Sequence, residues 1–224
     1  LFMKKIIASL VAAVAVSLPA LSNPLKDNQF NTMHSLGCML LRECTDGVYK
    51  IKNISNIADE YPNTDYSIVT DEFDAMLFAL EHVGVGVFLA DSKYFPAGNR
   101  GVYHTVGNNI FLNREYMDST AYLMQVMRHE GWHSAQDCMA GTIENSLIAI
   151  IMPEEEVPML WRILAERTYP KSVVPWEAEA GWAGRTENMT MDALAACASG
   201  EMWNTYSPTP LTRKYLVENG YINK

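Results

Sequence analysis

Downstream of residue 133 this chain has no histidine, and beyond Val16 it has no apolar run approaching the roughly 18 to 20 residues that a membrane helix needs. The first absence excludes a histidine ligand from the C-terminal part of the sequence. The second leaves no candidate membrane span there. Basic side chains are also scarce, with 17 Lys and Arg against 26 Asp and Glu, and a formal charge of -9 argues against nucleic acid as a partner. Cysteine is limited to four positions, Cys38, Cys44, Cys138 and Cys197.

What is present begins with a leader-like segment. Met3-Lys4-Lys5 precedes the mainly apolar run Ile6 to Val16, and Leu18-Pro19-Ala20-Leu21-Ser22 supplies small residues before a cut after Ser22. This reads as a secretory signal peptide over residues 1–22, leaving residues 23–224 as a single domain with room for a substantial core. Its removal takes Lys4 and Lys5 and leaves a formal charge of about −11. A secreted or periplasmic location follows, with no membrane association after cleavage. An even cysteine count in an exported chain implies two disulfides, for which three connectivities exist. Cys38–Cys44 with Cys138–Cys197 is the favoured one, although an unbroken helix through the first pair would hold it too far apart to bridge. The second bond would close a long loop, constrain the unfolded chain by ~4 kcal/mol and fix the end of the helix that carries His129 and His133.

Apolar spacing predicts a helix from Asn28 to Cys44, a short strand over Val48 to Ile51, and a helix from Thr70, capped by its own hydroxyl, to about Gly84. Val85 to Ala90 reads as a buried strand, and Gly101 to Leu112 as a hairpin or bent edge strand around Gly107-Asn108-Asn109. A long helix runs from a cap at Asp118 or Ser119 to Gly141. Another is expected to begin at Pro153 with Glu154, Glu155 and Glu156 in its first turn, a further one over Trp176 to Gly200, and a short one from Thr209 to Asn219.

The long helix holds "RHEGWHSAQDC", residues 128–138. Residues four apart stack on one helical face, so His129 and His133 can reach one cation from the same side, a face they share with Tyr122, Gln125 and Gln136. Glu130 lies about 100° round from His129, too far to join as a ligand and well placed as a base. A cation there acidifies water, the glutamate takes the proton, and the proton passes to the leaving amine. Glycine at 131 costs about 1 kcal/mol in a helix interior, which close packing of another backbone would explain. His34 and His82 sit alone on their own helices and carry no metal role. A third ligand must be a carboxylate, and "PWEAEAGWA", residues 175–183, offers Glu177 and Glu179, of which only one can face the metal.

His-Glu-x-x-His followed by a glutamate on a later helix resembles the gluzincin group of zinc metallopeptidases. Gln136 and Met139 stand where the three-histidine metzincins have Gly and His. The gluzincin Glu-x-x-Ala pattern maps onto Glu177 and Ala180, while Gly181 stands where that pattern has an aspartate, leaving Asp137 or Glu179 to orient an imidazole. The resemblance implies one Zn²⁺ held by His129, His133 and Glu177, with Glu130 as general base and acid. It also implies an oxyanion stabiliser from outside the motif, for which His104, Tyr169, Tyr103 and Tyr206 are candidates, His104 and Tyr169 foremost. The implied fold is α+β and zincin-like, a small mixed sheet packed on the active-site helix with a mainly helical C-terminal half. Tyr103 to Leu112 takes the place of the edge strand that binds a peptide or protein substrate. The other reading is a non-catalytic structural or binding protein on the same scaffold.

Overall fold

A computed structural model describes residues 29–223. The expected leader over residues 1–22 lies outside them. The described residues form a mixed α+β fold: a small open sheet and a set of helices in the order α1 Gln29–Leu40, β1 Val48–Lys50, α2 Ser55–Ala58, α3 Thr70–His82, β2 Gly86–Ala90, β3 Gly101–His104, β4 Asn109–Asn113, α4 Thr120–Met139, α5 Met159–Thr168, α6 Val174–Ala183, α7 Met189–Ala198, α8 Met202–Thr205 and α9 Pro210–Glu218.

The sheet order is β1-β2-β4-β3. β2 and β4 run parallel with Gly86 opposite Asn109, whereas β1 pairs antiparallel to β2 and β3 antiparallel to β4. Both faces are covered, so β2, β3 and β4 are buried at nearly every position rather than at alternate ones. Val87, Leu89, Tyr103, Ile110 and Leu112 turn to one face and pack on Phe73, Met76, Leu77 and Leu80 of α3 and on Leu123, Val126 and Met127 of α4. The alternate residues Phe88, Ala90, Val102 and Phe111 turn to the other and meet Leu36, Met39 and Leu40 of α1. Gly101 to Leu112 is the expected hairpin, but only β3 is at the edge; β4 is interior. The helical remainder packs on the far side of α4, where Trp132, Ala135 and Met139 meet Ala180, Ala183, Ala193 and Ala196.

Several boundaries differ from expectation. α1 stops at Leu40, and Arg42, at φ 61, turns the chain back. That turn is what brings Cys44 within 5.2 Å of Cys38, Cα to Cα, and the two are bonded; Cys138 and Cys197 are likewise bonded, tying α4 to α7. Both pairs fit an oxidising compartment. Thr70 does not cap α3 by accepting an amide; its hydroxyl donates back to the Tyr66 carbonyl. Pro153 to Val157 forms a turn, not the start of a helix, because Pro158 disfavours helical geometry at the residue before it, and α5 starts only at Met159. Trp176 to Gly200 is two helices, separated where Asn188 adopts φ 63. At Gly131 the nearest approach is by a side chain of α7. A Cβ there would sit 2.9 Å from the Thr190 Cγ2, and the Thr190 hydroxyl donates to the Arg128 carbonyl. Among the described residues no helix is long and apolar enough to cross a membrane.

Candidate metal centre

Ser119 caps α4, accepting from the Tyr122 amide, and a bidentate ion pair from Arg128 to Glu72 fixes α4 against α3. One turn apart on this anchored helix, His129 and His133 bring their Nε2 atoms to 3.3 Å, ring edge to ring face. α6 comes close enough to complete the cluster because small residues line its inner face: Ala180 and Ala183 are fully buried, and a Cβ on Gly184 would lie 3.1 Å from the Gln125 carbonyl and 3.4 Å from the His129 Cβ. Glu177 in its first turn then sets Oε2 3.4 Å from His129 Nε2 and 3.8 Å from His133 Nε2.

His129, His133 and Glu177 could hold a metal ion, their donor atoms all lying within 4.8 Å of one another. Zinc–ligand bonds of 2.0 to 2.1 Å in a tetrahedron put neighbouring donors ~3.3 Å apart, which is what these three atoms approximate. The hydrogen bonding points the same way. Neither oxygen of Glu177 has a hydrogen-bond partner although the residue is 1% exposed, an arrangement that burial alone would penalise. Burial would raise the pKa of Glu177, yet the two imidazoles prevail and hold it low; reciprocally, Glu177 overcomes burial and pushes His133 up.

Glu130 is completely buried and bare of hydrogen bonds. It lies beneath the start of β3, where a Cβ on Gly101 would come within 3.3 Å of its Cγ. Burial lifts its pKa to about 7 against the opposing pull of the two imidazoles.

The remaining candidates separate clearly. Tyr169 follows α5 with its hydroxyl buried and without a hydrogen-bond partner, and burial together with the adjacent Glu177 and Glu130 carboxylates pushes its phenol far up. It therefore stands beside the cluster. His104 ends β3 with a buried, unpartnered Nδ1 facing the turn at Gly107; burial pulls its pKa down, and no described contact joins it to the cluster. Tyr103 donates to Asp137 Oδ2 at 2.8 Å, and Tyr206 packs among residues behind α4; no described contact joins either hydroxyl to the imidazoles. Asp137, whose pKa burial raises to about 8, is thus engaged by Tyr103 and orients no imidazole.

Glu179 is turned away from the metal position and saturated with donors. It accepts from Trp132 Nε1 at 3.1 Å, Gln136 Nε2 at 2.7 Å, and the amides of Ile151 and Met152. Gly181 is explained by Trp161, whose Cε3 would lie 3.1 Å from a Cβ there. The sequence places Gln136 on the histidine face without giving it a role; its Oε1 lies 2.8 Å from His133 Nδ1. Its place three residues after His133, on the same helical face, was the available signal. Compared with protein-family models, curated proteins and solved structures, the chain has no significant match to any.

Proposed function

We propose that the protein is an exported zinc peptidase of the gluzincin type, on a zincin-like fold, acting on peptide or protein substrates. The observation that supports this is the convergence of two imidazole nitrogens and an otherwise unbonded carboxylate, with the Glu130 carboxylate next to the first histidine. His129, His133 and Glu177 are the residues that would hold the ion. Bound there, zinc supplies Lewis acidity to the scissile carbonyl and lowers the pKa of water. Glu130, unable to reach the ligand position from its own turn, receives the proton from water and returns it to the leaving amine. β3, at the open edge of the sheet and directly over α4, offers its main chain to an extended substrate. Tyr169, with its free hydroxyl beside Glu177, is the group that stabilises the developing oxyanion in preference to His104.

The deciding experiment compares wild type with Glu130→Gln on a mixed peptide library, with zinc content measured in both. The expected outcome is about one zinc per chain in each and a rate at least about a hundredfold lower in the variant. Equal rates would reject the assignment, and absence of zinc from wild type would reject the metal centre itself.

A further inference from the structure

We infer that Gln136 is the positioning residue for His133, fixing its tautomer through a relay that ends on the buried Glu179 carboxylate. The inference rests on the metal-centre reading for its purpose and on hydrogen-bond logic for its substance.

The side-chain amide of Gln136 can be oriented without ambiguity. Its Nε2 position lies 3.2 Å from the Trp176 carbonyl oxygen and 2.7 Å from Glu179 Oε2. A main-chain carbonyl only accepts, so this end of the amide is the NH₂ group. The opposite end is then an oxygen and only accepts, and the 2.8 Å contact with His133 Nδ1 requires a proton on that nitrogen. Nδ1–H leaves the Nε2 lone pair directed at the space shared with His129 and Glu177. The unprotonated nitrogen that a cation needs is thus selected by a residue one turn away.

The relay is rigid at its far end. Glu179 is held by the Trp132 indole and by two successive amides, Ile151 and Met152, and so cannot follow Gln136 if the latter moves. The main-chain oxygen of Gln136 also accepts from the Ala149 amide, so both its backbone and its side chain are tied to the 149–152 segment. One glutamine thereby joins α4, α6 and that segment to a single imidazole. Trp161 occupies the space beside Gly181, and a neutral amide on α4 takes over the orienting task from the carboxylate expected at that position.

The test uses the full chain and two readouts besides peptidase activity. Zinc dissociation constants are measured by competition with a chromophoric chelator, and the tautomer of neutral His133 is read from imidazole ¹⁵N shifts of the metal-free protein followed along a pH titration. In wild type His133 is expected as the Nδ1–H form. Gln136→Met, similar in volume but neither donor nor acceptor, is expected to weaken zinc binding about 10- to 100-fold and to lose that tautomer preference. Should Gln136→Met fail to fold, the wild-type tautomer decides. An Nε2–H form in wild type, or unchanged zinc affinity and tautomer in a folded Gln136→Met, overturns the relay. A wild type that binds no zinc yet shows Nδ1–H refutes the peptidase reading and leaves the relay standing.

Discussion

The two faces of α6 carry two buried glutamates that differ in almost everything except burial. Glu177, at 1% exposure, has no hydrogen bond to either oxygen, whereas Glu179, equally buried two residues later, accepts from an indole, a side-chain amide and two backbone amides. Asp137 lies between these extremes, with one oxygen bonded to Tyr103 and the other bare. Burial is therefore no guide to the role of a carboxylate here; the supply of donors is. A carboxylate wrapped in N–H groups closes a fold, and one left open among imidazole nitrogens is a place for a cation.

Removing each carboxylate in turn tests that distinction. The largest effect is expected from Glu177→Gln, which keeps the shape and removes the charge. Zinc affinity should fall by more than about a hundredfold, exceeding the loss of an outer partner, while the fold persists. A chelator titration indistinguishable from wild type would erase the contrast between the two faces. Glu179→Ala should do the reverse, acting first on stability. It strands four donors in the interior at ~1 kcal/mol or more each, which for a chain of this size corresponds to a fall in Tm on the order of 10 °C. A calorimetric Tm within about two degrees of wild type would show that those hydrogen bonds do not hold the 151–152 segment in place.

The smallest effect belongs to Asp137. Its pKa rises from 3.8 in the unfolded chain to about 8 in the fold, so the native state holds the proton more tightly and stability falls as pH rises between those values. Asp137→Asn still offers an oxygen to the Tyr103 hydroxyl but cannot ionise, and its Tm should decline less over that interval, by a few degrees. Parallel Tm profiles for the two proteins would mean that the Asp137 carboxylate is not paying this penalty.

Much of this was legible in the sequence wherever one element suffices. A period of 3.6 places His129 under His133 whatever surrounds them, and alternation in β2 and β4 sorts their side chains between two faces. The choice between Glu177 and Glu179 was of another kind. Helical spacing says only that they diverge; which one is left open depends on Trp132, Ile151 and Met152, residues 27 to 47 positions away that meet Glu179 only in the folded chain. The early stop of α1 and the late start of α5 depend on a positive φ at Arg42 and on Pro158, each able to override a favourable apolar spacing. Gln136 was visible on the right face, but its partners are assembled from α6 and the 149–152 segment, and no local pattern announces them.

Gly101 is where the sheet rests on α4 without a side chain between them. A methyl group at that position would meet Val126 Cγ1 at 2.5 Å and the Glu130 Cγ at 3.3 Å, so any other residue acts as a wedge. Lifting the strand would separate the hairpin from the helix at the very spot where Glu130 is roofed over, letting bulk solvent flood onto a carboxylate that now sits dry. One hydrogen atom in place of a side chain thus sets the clearance between the two layers.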